Sequence, residues 1–160
     1  MPPGAIDGRG PVGEHVKLGS ILCVLLMWGA SATAQTVVDG DTIKLDGTMY
    51  RLWGIDAPEQ NQSCGDWQAG AEATRTLFGL MSGHTIACSP KTTDRYGRTV
   101  ALCRADGADL GAAMVRMGMA WAFLRFSLDY LPEEAAARNE ALGIHARDCM
   151  PAWTWRARRK

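Results

Sequence analysis

Apolar and polar positions along the chain repeat with two different periods, and the switches between them mark out the elements. "TVVDGDTIKL" and "TMYRLWGI" are β-branched and aromatic runs meeting at "DGT", which predicts two adjacent strands joined by a glycine turn. From Asp66 the period lengthens: Trp67, Ala71, Thr74, Leu77 and Met81 fall at helical spacing, with Gly83 as the stop. "HTIACSP" and "RTVALCRA" return to strand character and flank "DRYG", predicting a second hairpin. Asp109 is placed to cap a short helix with Leu110, Met114 and Met117 on one face and Gly118 at its end. Pro132, followed by Glu133 and Glu134, opens a last helix through Leu142, closed by Gly143. Strands, helix, strands, helix, helix, with strands this short, predict an α+β chain whose strands curl into a small OB-like barrel; an open α+β sheet is the alternative.

Composition narrows this little: 160 residues, 47% apolar and 21% charged, describe one ordinary globular domain. Charge matters more. Lys plus Arg equals Asp plus Glu at 17, two of each falling before residue 35, so the rest of the chain has no strong overall field. A nucleic-acid role must therefore rest on local charge placement.

Residues 1–34 differ in texture. Lys17 precedes the apolar "ILCVLLMWGA" and the small-residue "SATAQ", with Ala32 and Ala34 in an A-x-A pattern before Gln35. This predicts a signal peptide over 1–34 and a domain over 35–160, with an uncleaved membrane anchor as the alternative. Export to a periplasm or the medium would make the cysteines of the domain, Cys64, Cys88, Cys103 and Cys149, pair with one another. Their spacing contains no C-x-x-C pair, and His84 and His145 are scattered, which disfavours zinc.

The chemistry gathers around "YRLWGIDAPEQ". Strand alternation predicts Asp39 and Asp41 on one face, with Asp56 approaching if the second strand lies beside the first. Oxygen ligands without thiolate or imidazole suit calcium or magnesium, completed by water. The competing reading is that "DGD" is a turn whose aspartates cap local backbone. Arg51, Arg98 and Glu59 tip the balance: a hard cation, two guanidinium groups and a spare carboxylate suit a phosphodiester, whose equatorial oxygens need neutralising and whose attacking water needs orienting.

In this order, "VVDGDTIKL", "RLWGIDAPE" and "DRYGRTVALCRADG" resemble the staphylococcal nuclease (thermonuclease) family, and the likeness continues through "LGAAMVRMGMAWAF" and "EEAAARNEALGIH". The resemblance implies a five-stranded OB barrel with three helices and calcium-dependent cleavage of the P–O5′ bond of DNA and RNA, leaving 3′-phosphates. It implies Asp41, Asp56 and the backbone carbonyl of Ala57 as Ca2+ ligands, Glu59 as general base, Arg51 and Arg98 at the phosphorus, and Arg95 and Tyr96 flanking the nucleotide. The protein is then expected to act as a monomer on nucleic acid, with no stable membrane association after cleavage. A barrel that binds nucleic acid or protein without catalysis is the rival; Glu59, which would repel a phosphate in a mere binder, argues against it.

After Gly118 the chain offers Trp121, Phe123 and Phe126 where the family places tyrosines over the nucleotide. A hairpin symmetric about "DRYG" sets Cys88 opposite Cys103, leaving Cys64 for Cys149 and tying the C-terminal segment to the loop carrying Glu59. His84 and His145 are expected to be surface or hydrogen-bonding residues, Trp153 and Trp155 to pack the tail onto the barrel, and the run Arg156, Arg158, Arg159 and Lys160 to be solvated.

Overall fold

The computed structural model describes Met1, Gly4 and residues 34–159; apart from Met1, Gly4 and Ala34, the predicted signal segment lies outside the described residues. In chain order the elements are β1 (Gln35–Asp39), β2 (Thr42–Leu45), β3 (Thr48–Leu52), β4 (Ile55–Asp56), α1 (Ala69–Met81), β5 (Ile86–Thr93), β6 (Thr99–Ala105), β7 (Ala108–Asp109), α2 (Leu110–Arg116), β8 (Trp121–Ala122), α3 (Leu131–Asn139), a 3-10 turn (Gly143–His145) and α4 (Ala152–Ala157). Five strands follow the path β1-β2-β3-β6-β5 of an OB-type barrel, with β7 added to β6; β4 and β8 form a separate antiparallel pair. Among the described residues no helix is long and apolar enough to cross a membrane.

The β2–β3 turn is the predicted one. Asp46 and Gly47 both take positive φ, 46° and 85°, the pair of left-handed conformations that matches hairpin twist. "TVVDGDTIKL", expected as one strand, is instead two: the chain reverses at Gly40–Asp41 and pairs β1 antiparallel with β2. Asp39 and Asp41 therefore do not share a strand face. Asp39 caps the turn by accepting the Asp41 backbone N–H at 3.0 Å, as the turn reading proposed, while Asp41 turns into the interior. Gly40 permits the reversal, because a Cβ there would stand 2.7 Å from both Ala57 Cβ and Ala73 Cβ.

Helix α1 begins three residues later than Asp66 and buries a rotated face: Ala69, Gly70, Ala73, Leu77 and Met81 rather than Trp67, Ala71 and Thr74. Small side chains, not large ones, mark its inner edge. Gly70 explains why: a Cβ at that position would collide with the Glu59 carbonyl, so the loop after β4 can lie against the helix only over a glycine. Asp109 caps α2 as predicted, its Oδ1 accepting the Ala112 N–H at 3.1 Å. Leu110 and Met114 are core, but Met117 is exposed, one residue past the helix. Helix α3 ends at Asn139, short of Leu142.

The β5–β6 hairpin has a one-residue irregularity that decides a covalent bond. Near the turn Thr93 faces Thr99 and Thr92 faces Val100, but Pro90 faces Ala101, so Lys91 is an extra residue in β5. Without it, the register at the turn would set Cys88 against Arg104. With it, Cys88 faces Cys103 and the two form a disulfide. Pro90 has no N–H to lose at the break in the ladder.

The C-terminal segment packs through its tryptophan Trp153 as expected, and within the run expected to be solvated Arg158 and Arg159 are exposed but Arg156 is not. Cys149 is bridged to Cys64, and a second core of Trp121, Ile144, Cys149 and Ala152 seats α4. Trp153 stacks on Phe123, centroids 5.6 Å apart at 13°, and meets Trp121 edge-on at 6.0 Å. His145, in the 3-10 turn of this region, has its Nε2 buried with no hydrogen-bond partner among the described residues.

Two predictions follow from this packing. Gly70→Ala should cost about 1–3 kcal/mol in urea unfolding, the range for overpacking against a fixed neighbour; a parent-like midpoint would show that the Glu59 loop can retreat. Burial, reinforced by the charge of Arg138, holds the His145 imidazole down at about 4. The unfolded chain therefore takes up a proton there first, below its ordinary value of about 6.5, and stability should fall as pH drops from about 6.5 towards 4. His145→Gln should flatten that part of a melting-temperature profile; an unchanged slope would assign the loss to other groups.

Candidate active site

Two carboxylates lie at the base of the site because the ladder puts them there. Thr42 faces Arg51 across β2 and β3, and the Leu52 N–H donates to the Asp41 carbonyl at 2.8 Å, so Asp41 sits beside the root of Arg51. Asp56 faces Trp121 across β4 and β8. Asp41 is buried and Asp56 is 0% exposed. Burial pushes the Asp41 carboxyl above its ordinary value, against the pull of Arg51, and Asp39 adds to the rise.

Arg51 answers both charges with one planar fork. Its Nη1 donates to Asp41 Oδ1 at 2.9 Å and its Nη2 to Asp56 Oδ1 at 2.7 Å. Burial opposes the guanidinium charge, but Asp41 and Asp56 together outweigh it and raise Arg51 above the ordinary arginine value. Asp41 is satisfied further by the Thr42 hydroxyl on Oδ1 at 3.1 Å and by the Ala57 N–H on Oδ2 at 3.0 Å. Ala57, Asp41 and Asp56 are thus brought together.

A residue not anticipated as part of this group completes it. Arg156 of α4 grips Asp56 with two nitrogens, Nη1 to Oδ1 at 3.1 Å and Nη2 to Oδ2 at 2.8 Å, and the same Nη1 donates to Glu59 Oε1 at 2.6 Å. Burial works against its charge, but Asp56 and Glu59 raise it above the ordinary arginine value. The signal lay in the sequence: Cys149 is seven residues before Arg156, Pro151 opens a helical turn, and Trp153 and Arg156 are at i, i+3.

The remaining candidates sit around the rim. Arg98 is clamped by Asp94, Nε to Oδ2 at 2.7 Å, and its Nη1 reaches the Thr42 hydroxyl at 3.5 Å; that hydroxyl is the one bound to Asp41. Hydrogen bonds to Arg98 and the turn outweigh the desolvation that would raise Asp94, and hold it below its ordinary value. Arg95 and Tyr96 occupy the exposed tip of the hairpin, where Arg95 Nη2 donates to the Tyr96 hydroxyl at 2.7 Å and Tyr96 is 69% exposed. The Tyr96 N–H donates to Asp94 Oδ1 at 2.8 Å, and among the described residues neither side chain hydrogen-bonds Asp41, Asp56 or Glu59. Trp121 and Phe123 are committed to seating α4, and Phe126, edge-on to Phe123 with centroids 5.0 Å apart, is the exposed aromatic ring of that stretch at 60%.

The loop carrying Glu59 is held from behind. Buried Gln62 accepts the Glu59 N–H at 3.2 Å and donates Nε2 to the Met150 carbonyl at 2.7 Å, while Cys64–Cys149 closes the same junction covalently. The donor set at the base is oxygen only, buried, and rich in negative charge, which fits a hard divalent cation. Among the described residues no three acidic, His or Cys side chains already converge as a ready cage; guanidinium groups stand against the carboxylates instead.

Residues 49–147 match the family described as "Staphylococcal nuclease homologue". The chain is similar to an "Uncharacterized endonuclease" of Escherichia coli O157:H7, 35% identical over 132 residues that cover 77% of this chain and 82% of that protein. It is also similar to a "Succinoglycan biosynthesis protein ExoI" of Rhizobium meliloti (strain 1021), 34% identical over 64% of this chain and 61% of that one. A third relative is a "Micrococcal nuclease" of Shigella flexneri, 30% identical over 75% and 76% of the two chains.

Because, among the described residues, Arg51 alone joins Asp41 to Asp56, an ammonium should not replace it: Lys offers a point charge where the fork spans two carboxylates. In chelator, Arg51→Ala should lose about 3–5 kcal/mol of unfolding free energy, the range for breaking a buried pair, because Asp41 loses its guanidinium while Asp56 keeps Arg156, and Arg51→Lys should lose most of that. Urea titrations read this directly, and a parent-like Arg51→Lys would show that the fork is dispensable.

Proposed function

Since the chain belongs to the staphylococcal nuclease family and is a nuclease, we propose that it hydrolyses the P–O5′ bond of DNA or RNA in a calcium-dependent reaction, with Glu59 as the general base. One observation carries the reading. A buried carboxylate pair, Asp41 and Asp56, is bridged by Arg51 and lies beside a half-exposed carboxylate, Glu59, with Arg98 one hydroxyl away.

Asp41, Asp56 and the carbonyl of Ala57 would hold the calcium, which when bound supplies positive charge to a non-bridging phosphate oxygen. Glu59, at the mouth, takes a proton from the water whose oxygen forms the new bond to phosphorus. The P–O5′ bond breaks as that one forms, the departing 5′-oxygen takes a proton from solvent water, and the phosphate stays on the 3′ side. Arg51 and Arg98 offer planar donors to the equatorial oxygens as charge grows there. Arg95 and Tyr96, at the hairpin tip, flank the nucleotide, and exposed Phe126 offers it an apolar face.

Both disulfides support export, by the segment 1–34, to an oxidising periplasm or medium. We read the protein as a monomer. The rival, a barrel that binds without cutting, has one observation in its favour: the Arg156 contacts that cover Asp56 and Glu59.

Assay of the purified protein on DNA and RNA separates the two. Hydrolysis should need calcium, stop in excess chelator and run poorly with magnesium, which demands tighter geometry. Glu59→Gln and Arg98→Ala should each lower turnover by about two to four orders of magnitude with the circular dichroism spectrum unchanged. Full activity in chelator removes the metal from the reading, parent-like turnover of either variant removes that residue's role, and calcium-saturated protein that binds but never cuts favours the rival.

A further inference from the structure

Arg51 and Arg156 share Asp56 but are not equivalent. Arg51 runs along the barrel floor, its side chain 17% exposed, and joins two carboxylates. Arg156 comes from the rim, is 36% exposed, and ends a short helix that could release it to solvent. If Arg156 withdraws, Asp56 keeps the 2.7 Å bond from Arg51, so the buried charge is not stranded. The site is arranged to survive without the second guanidinium.

While it stays, Arg156 closes the site. Asp56 Oδ1 already accepts from both arginines and Oδ2 from Arg156, and Glu59 Oε1 is held in the same grip. A divalent cation arriving at Asp56 would meet a full positive charge bound bidentately to its ligand. We propose that Arg156 is a tethered competitor of the divalent cation, delivered by the Cys64–Cys149-anchored C-terminal segment, so that metal enters Asp56 as Arg156 leaves and frees Glu59. This rests on the reading of Asp56 as a metal ligand.

The tether gives the competition its strength. The disulfide, the Gln62 bond to Met150 and the stacking of Trp153 on Phe123 hold α4 against the site, which keeps the guanidinium at high local concentration. Metal affinity is therefore set in part by a covalent bond that reduction would open.

Calorimetric titration of calcium into protein stripped of metal, without nucleic acid, tests this. Arg156→Ala and Arg156→Gln should bind calcium about tenfold or more tightly than the parent, since a bidentate charge-assisted contact no longer has to be broken. Reduction, and separately Trp153→Ala, should tighten binding by the parent and leave Arg156→Ala unchanged. Trp153→Ala keeps the test available if the reduced chain unfolds. Asp56→Asn should abolish binding in every background. Equal or weaker binding by both Arg156 variants, with Asp56→Asn still abolishing it, overturns the competitor and leaves the metal site standing. Tighter binding by Arg156→Ala with no response to reduction or to Trp153→Ala overturns the tether. Calcium binding that survives Asp56→Asn, or that neither parent nor variants show, overturns the metal reading itself and the competitor with it.

Discussion

A carboxylate with no exposure to water must have positive charge or strong donors against it, and Asp56 is such a group. Its neighbour Asp41 is nearly as deep, and burial already pushes that carboxyl upward. The two cannot both be ionised at the base of the barrel unless something answers them. Arg51, forked between them, is that answer, and the β2–β3 register that sets Thr42 against Arg51 is what makes the fork reach. The hairpin turn at Asp46–Gly47 matters for the same reason: a one-residue slip would turn Arg51 to the other face of the strand.

The remaining supports hold the mouth of the site rather than its floor. Gly70 and Ala73 thin one edge of α1 so that the Glu59 loop and the Gly40 turn can lie against it. Gln62 and the Cys64–Cys149 bridge join that loop to the C-terminal segment. Trp121 is part of both arrangements, pairing with Asp56 in the β4–β8 ladder and touching Trp153 of α4. The floor and the last helix are thereby positioned by one short ladder, and this is how a residue one hundred positions along the chain meets Asp56.

What was legible in the sequence was what local rules govern. The Asp–Gly turn, the Asp109 cap and the aliphatic anchors Leu77 and Met81 each depend on a few neighbouring residues, and each is found in the structure. The clustering of Asp41, Arg51, Asp56 and Glu59 was legible because its members are charged where a plain strand end needs no charge. The inner face of α1 was not, since glycine and alanine carry little periodic signal and their value lies in what approaches them. The Cys88–Cys103 pair came out of a symmetric hairpin, whereas the structure reaches it through the extra residue Lys91. Arg156 was missed because a basic terminal run looks solvated until the disulfide and the tryptophans beside it are read together.

A chain with equal numbers of acidic and basic groups cannot gather a polyanion by a long-range field. At the site the balance is drawn tighter still: Arg51 belongs to Asp41 and Asp56, Arg156 to Asp56 and Glu59, and Arg98 to Asp94. A phosphate oxygen meets guanidinium groups here that are already engaged by carboxylates, most fully in Arg51 and Arg156 and through Nε alone in Arg98. The ease of freeing them follows exposure, from Arg156 at 36% and Arg98 at 26% to Arg51 at 17%. Contact with a phosphate backbone therefore begins at the rim, with pairs that water already loosens. The Arg51 fork, held by two buried carboxylates, is the last to be given up, so the deepest charge in the site is also the one best fixed in place.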